Sequence, residues 1–175
     1  AKSNLDALRK DNSLVSLLDF NFAKASYAIS YHGNVANISS ERKIRLMNAA
    51  HPLIDLSKVV RNDFVMDKER MMIITGPNAG GKTVALKLLG LLVIMHQSGL
   101  ALPCEEDAYL PYFDYIYGDI GDNQSLIDNL STFSSHMVNL RDILEHADDT
   151  SLVIIDELGS GTSPLDGEAL ALGAI

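Results

Sequence analysis

Gly76-Pro77-Asn78-Ala79-Gly80-Gly81-Lys82-Thr83 has the spacing G-x-x-x-x-G-K-[ST]. Glycines at such positions let backbone N–H groups turn inward around a β-phosphate. A helix opening at Lys82 adds about half a positive charge at the same place. In that setting Lys82 reaches the β- and γ-phosphates of ATP, and the Thr83 hydroxyl meets Mg²⁺. The chemistry requires a strand before the turn and a helix after it. The flanks comply: Met71 to Thr75 reads as a five-residue apolar strand, and Lys82 to Gln97 reads as a helix ended by Ser98-Gly99.

Leu152-Val153-Ile154-Ile155-Asp156-Glu157 supplies the second half of such a site. A β-branched run of this kind predicts a strand buried on both faces. Alone, its two terminal acids are a strand meeting a solvated turn. Beside a phosphate-binding turn, Asp156 binds Mg²⁺ directly or through water, and Glu157 orients or deprotonates the attacking water. A water-activating glutamate points to hydrolysis rather than to transfer onto a small molecule.

Between the two lies Leu130-Ser131-Thr132-Phe133-Ser134-Ser135-His136-Met137. Phe133, Met137, Leu140, Leu144 and Ala147 predict one face of a helix, with Ser131 as its N-cap. Read alone, the hydroxyl cluster is a cap. Read between the phosphate loop and the Asp-Glu strand, it stands where an ABC-type signature stands. There a serine and a helix N-terminus of one protomer face the γ-phosphate bound to the other. Leu158-Gly159-Ser160-Gly161-Thr162-Ser163-Pro164 would then be the loop crossing that interface.

The elements that position these residues predict an α/β fold. The fold expected is that of a P-loop NTPase resembling the ABC ATPase type, with a mainly parallel sheet flanked by helices and a helical N-terminal segment. Asn4 to Ala28 has apolar residues at helical spacing, with a break expected near Asp11-Asn12-Ser13. Asn34 to Ser40 is polar and turn-rich. Glu41-Arg42-Lys43-Ile44-Arg45 is short and lacks interleaved aromatics, so it reads as a solvated face rather than a nucleic-acid patch. His51-Pro52 falls outside any helix, because proline disfavours helical geometry at the preceding residue. Short β runs are expected at Val59-Val60, Phe64–Met66, Ala108–Leu110 and Tyr115–Tyr117.

The chain has 175 residues, 47% of them hydrophobic and 21% charged, which fits one globular domain and argues against disorder. No apolar run approaches a membrane span, and the polar start Ala1-Lys2-Ser3-Asn4 is no signal peptide. Cys104 is the single cysteine, so no internal disulfide framework or cysteine metal cluster is available, and a reducing, cytoplasmic compartment is expected. The chain opens without Met and stops at Gly173-Ala174-Ile175 inside an apolar run, the pattern expected of a piece of a longer protein. Charge is uneven. Residues 1–87 hold 13 basic and 8 acidic residues, whereas residues 88–175 hold one basic residue, Arg141, and 15 acidic ones. A face built from the second half would repel phosphate backbones over about 8–10 Å; the excess acid also serves solubility alone.

Three stretches together resemble the ATPase domain of the bacterial MutS family, within the ABC ATPase superfamily. They are Gly76 to Lys87, Leu130 to Met137 and Asp156 to Thr162, and His51-Pro52-Leu53-Ile54 adds to them. The likeness is to the second subfamily, MutS-two, rather than to mismatch-repair MutS. Mismatch-repair MutS follows Gly-Lys with Ser-Thr, and Ser-Thr-Phe with Met. The resemblance covers residues 48–175. Residues 1–47 would be a helical segment from the end of the preceding core or lever region.

The resemblance implies ATP and Mg²⁺ as ligands, a homodimer closed by ATP, and Ser131 acting in trans. It implies that Asn78 helps hold the γ-phosphate or the water and that Val59 or Val60 flanks the adenine. It further implies a nucleic-acid substrate, either branched DNA in suppression of recombination or collided ribosomes in rescue. A Smr endonuclease domain is expected elsewhere in the protein, and no membrane partner. His51 is either a structural histidine before proline or a nucleotide contact. His136 on its helix faces solvent in the plain reading, and Gln124 lies near a loop that senses nucleotide state in ABC proteins. Ser163 departs from the acidic residue the pattern expects. Two other readings compete. One is a nucleotide-gated dimerisation switch with negligible hydrolysis. The other is a transport or chromosome-maintenance ABC ATPase, whose Leu-Ser-Gly-Gly-Gln signature is missing here.

Overall fold

The computed structural model describes residues 4–77, 80–120, 129–156 and 173, the side chains of 129–135 excepted. In it the N-terminal apolar spacing makes one uninterrupted helix, α1 (Leu5–Ser30). The expected break does not occur. Ser13 Oγ donates to Arg9 O at 3.0 Å and Ser16 Oγ to Asn12 O at 2.9 Å, so the hydroxyls bond back into the helix rather than redirecting the chain. None of the residues of α1 is buried. Its C-terminal end is tied down by Lys24 Nζ donating to Ser98 O at 3.4 Å, and the next residue, Tyr31, donates from Oη to Ala101 O at 2.7 Å.

The chain divides into two units. Residues 1–72 and 91–111 form the first, and residues 73–90 and 112–175 form the second. In the first, β1 (Asn37–Ile38), β2 (Ile44–Ala49), β3 (Asn62–Met66) and β4 (Tyr109–Leu110) build a sheet in the order β1-β4-β2-β3. β1 runs parallel to β4, but β2 is antiparallel to both β3 and β4. The expected mainly parallel sheet is therefore not what this unit has. The segment joining β2 to β3 holds no crossover helix, and antiparallel neighbours need none. Val59-Val60 is not a strand: Val59 N–H donates to Asp55 O at 2.9 Å, closing a turn, and β3 begins only at Asn62.

A bulge between Leu46 and Ala49 interrupts the β2–β3 register, and Asn48 sits there at φ 52°. Asn is one of the few side chains that tolerate that region. The bulge is pinned by Asn48 N–H to Asp63 Oδ1 at 2.7 Å and by the Arg61 guanidinium to Asn48 O at 2.8 Å. In the basic run Glu41–Arg45, Lys43 is ion-paired at the surface. Lys43 Nζ lies 2.8 Å from Asp67 and 2.7 Å from Glu41, and these bonds raise its pKa above the ordinary lysine value. The core of this unit gathers Leu46, Leu92, Val93, Leu102, Pro103 and Leu110, each fully buried.

In the second unit, the helix α2 (Lys82–Gln97) contributes Lys82 to Gly90, continuing into the first unit as Leu91 to Gln97. Its limits agree with the sequence, and Gly99 at φ 67° ends it in the left-handed cap that glycine favours. β5 (Tyr115–Asp119), α3 (Asn129–His146) and β6 (Ser151–Ile155) follow. β5 and β6 are parallel with Tyr115 opposite Ser151 and Asp119 opposite Ile155, and α3 lies in the connection between them. This is the β-α-β unit expected around the Asp-Glu strand.

Three details differ from expectation. Met71 to Thr75 takes no strand pairing, because an apolar extended run becomes a strand only where a neighbour supplies the ladder, and none is paired with it among the described residues. β6 is not covered on both faces, since Val153 stays 37% exposed while Ile154 is buried. α3 starts at Asn129, so Ser131 lies within its first turn instead of capping it.

Cys104 is buried beside Glu105. Burial first, then that carboxylate, pushes its thiol up to about 11. At pH 8 about one thiol in a thousand is then ionised, so reaction with a thiol reagent should run about 100-fold slower in folded protein than in urea-unfolded chain. The folded state keeps its proton where the unfolded chain loses it, so this group's contribution to stability is present below about pH 9. It is lost as pH rises towards about 11. Equal labelling rates for folded and unfolded chain would contradict the burial.

Candidate functional site

The glycine-rich turn is built by close approach. Gly80 N–H donates to Pro77 O at 2.8 Å, and a β-carbon on Gly80 would stand 2.9 Å from that oxygen. Gly81 sits at φ 79°, which side-chain-bearing residues rarely adopt. The turn thus needs both glycines that the motif supplies. Lys82 Nζ donates to Gly76 O at 2.7 Å and to Pro77 O at 3.0 Å, which holds the ammonium over the loop. Asn78 and Ala79 lie outside the described residues.

α2 closes its first bond with Ala85 N–H to Gly81 O at 2.9 Å, and no acid stands in its first turn. The amides ahead of that bond point along the helix axis toward the loop. An ammonium, an acid-free helix start and a hydroxyl at Thr83 form a donor set that suits phosphate oxygens.

The helix that opens this loop approaches β6 at a glycine. A β-carbon on Gly90 would lie 2.7 Å from Ile154 Cδ1, so a larger residue there would push the helix from the strand. Asp156 follows β6 directly, half-buried, and its N–H donates to Asp119 O at 2.9 Å, extending the β5–β6 ladder by one bond. Glu157, the loop 157–164 with Ser163, and Gln124 lie outside the described residues. Ser131 is described only as helical backbone.

Asp119 lies outside the motifs. It is the one buried charged residue among the described residues. His136 Nδ1 lies 2.8 Å from both of its carboxylate oxygens, and Asn139 Nδ2 donates to Oδ1 at 3.2 Å. His136 does not face solvent: its side chain is 15% exposed. The buried stripe of α3 therefore runs through His136, Leu140 and Ile143, while Leu144, expected inside, is 59% exposed. The signal was present in the sequence. Asp119 ends an apolar strand as Asp156 does, and residues 136, 140 and 143 step by 4 and 3.

Val59, Val60 and His51 belong to the first unit and the phosphate loop to the second. Val60 is 78% exposed. His51 acts within its own turn, Nδ1 accepting from Leu53 N–H at 3.3 Å and its carbonyl from Ile54 N–H at 3.1 Å. Among the described residues no group of three or more His, Cys, Asp or Glu could hold a metal. A Mg²⁺ carried by nucleotide phosphates needs only one or two protein oxygens. No helix among the described residues is long and apolar enough to cross a membrane.

A family model described as MutS domain V matches residues 72–175. Two proteins called "Endonuclease MutS2" are similar over almost the whole chain. The one from Clostridium tetani is 47% identical over 174 residues, covering 99% of this chain. The one from Staphylococcus epidermidis is 49% identical over 172 residues, covering 97% of this chain. The chain spans 22% of the length of each.

Proposed function

The chain belongs to the MutS family, matched over its domain V, and from that premise we propose that it binds and hydrolyses ATP in a homodimer of a MutS2-like protein. The observation that carries this reading is the loop. Gly80 and Gly81 are required by its geometry, and Lys82 is held over it at the N-terminus of α2. We assign residues 48–175 to an ATPase domain of the ABC type and residues 1–47 to the end of the preceding core or lever region.

Lys82 binds the β- and γ-phosphates, with the backbone N–H groups of Gly81, Lys82 and Thr83 around them. Thr83 and Asp156 are the residues that would hold Mg²⁺, whose charge offsets that building on the phosphate oxygens. Glu157 orients and deprotonates the attacking water, and Asn78 assists at the γ-phosphate. Val59 or Val60 is proposed to flank the adenine. Ser131 faces the γ-phosphate held by the partner protomer.

The name of the relatives supports work on nucleic acid. We propose that ATP-driven closure acts on branched DNA or on collided ribosomes in the cytoplasm, through parts of the protein outside this chain. A Smr endonuclease domain would cut there.

Complementation tests the trans arrangement in full-length protein. Ser131→Ala and Lys82→Ala are each expected to be nearly inactive. Mixed in equal amounts, with subunits exchanging, half the dimers become mixed. Each mixed dimer has one intact composite site, so activity above the sum of the two variants, up to about a quarter of the parental level, should return. A mixture no more active than the two proteins apart, with exchange demonstrated, would remove the trans role of Ser131. Single-turnover hydrolysis by the parent separates an ATPase from a binding switch that leaves ATP intact.

A further inference from the structure

We propose that Asp119 and His136 are positioning residues that tie the helix carrying Ser131 to the strand end carrying Asp156, and so link the two composite sites of the dimer. This rests on the ATPase reading above. Burying a carboxylate is unfavourable unless its oxygens are bonded. Among the described residues, those of Asp119 are bonded by α3, through His136 at 2.8 Å and Asn139 at 3.2 Å. The main chain of the same residue faces the other way in the ladder, its carbonyl accepting from Asp156 N–H at 2.9 Å. One residue therefore bonds the helix with its side chain and the metal-binding strand end with its backbone.

Leu140 and Ile143 of α3 and Ile154 of β6 are buried apolar side chains in the same unit. Apolar burial is non-directional and lets a helix slide or rotate by small amounts. The Asp119–His136 pair is directional. A carboxylate accepts and cannot donate, so Nδ1 must carry the proton, which fixes both the ring's tautomer and its orientation. His136 stands five residues beyond Ser131 on α3. A shift of the helix start and a shift of Asp156 are thereby forced to occur together. Ser131 serves the nucleotide of the partner and Asp156 serves its own, so the pair transmits the state of one site to the other. The coupling has a defined physical link rather than mere proximity.

Two variants of full-length protein test this. Asp119→Leu/His136→Leu removes both partners at once and leaves no unpaired buried charge, so the fold is expected to survive. His136→Asn keeps an N–H donor near the position of Nδ1. The double variant should bind Mg²⁺–ATP within about two-fold of the parent and lose about 10- to 100-fold in kcat with KM little changed, whereas His136→Asn should recover most of that loss. Hydrogen exchange gives a readout apart from turnover. ATP should slow exchange in the loop 76–83 and in α3 of the parent, but only in the loop of the double variant.

A folded double variant with parental kcat, or with α3 still responding to ATP, would overturn the coupling while leaving the ATPase reading intact. Equal loss in His136→Asn and the double variant would also overturn it, reducing the pair to packing. A parent whose loop does not respond to ATP, or whose hydrolysis survives Lys82→Ala, would overturn the ATPase reading and this proposal with it.

Discussion

Lys82→Ala is expected to weaken Mg²⁺–ATP binding by about 30-fold or more, without unfolding the protein. Hydrogen bonds involving a charged group contribute about 1.5–3 kcal/mol, and about 1.4 kcal/mol is a factor of ten in affinity. Lys82 would bond two phosphates, so the loss should reach at least about 2 kcal/mol. Structure sharpens the expectation. The ammonium is held by Gly76 O and Pro77 O over the very loop whose amides would meet the nucleotide. Little reorganisation separates it from phosphate oxygens, so most of the interaction appears as affinity. Titration calorimetry of parent and variant, with melting temperature as the fold control, checks it. Equal affinities would remove the phosphate-loop assignment.

The loop and its helix were legible because the relevant physics is local. Glycine spacing sets the turn, Lys82 opens the helix, and Gly99 at φ 67° closes it. The same holds for the β5–α3–β6 succession, where period and length distinguish strands from helix over a short span. Long-range partnership was not legible. Met71 to Thr75 has strand composition, yet strand formation depends on a neighbour that composition cannot name. The antiparallel pairing of β2 on both sides was hidden for the same reason.

Polarity alone does not assign a helix face. A histidine is expected in solvent and a leucine inside, as at His136 and Leu144. The buried stripe does the opposite at both, since Asp119 beneath α3 offers a partner that only a histidine or another donor can satisfy. Asp11-Asn12-Ser13 misled in a related way. These residues favour turns when their side chains capture backbone groups, but along α1 the serine hydroxyls spend that capacity on the carbonyl one turn back.

Glu157→Gln should give the opposite signature to Lys82→Ala: Mg²⁺–ATP affinity within about two-fold of the parent, and hydrolysis slowed by about 100- to 10,000-fold, the range for loss of a general base. Its neighbour explains why the two functions should separate. Asp156 is anchored through its N–H to Asp119 O and follows a strand that meets α2 at Gly90 and Ile154. Glu157, the next residue in the sequence, is the one assigned to the water rather than to the nucleotide. Glutamine keeps the size and a hydrogen-bonding carbonyl but cannot take the proton. Binding should therefore persist, and the variant should accumulate as an ATP-bound dimer. Single-turnover measurement on dimeric, full-length protein isolates the chemical step from product release. Hydrolysis at the parental rate in that measurement would end the general-base role of Glu157 while leaving the phosphate loop untouched.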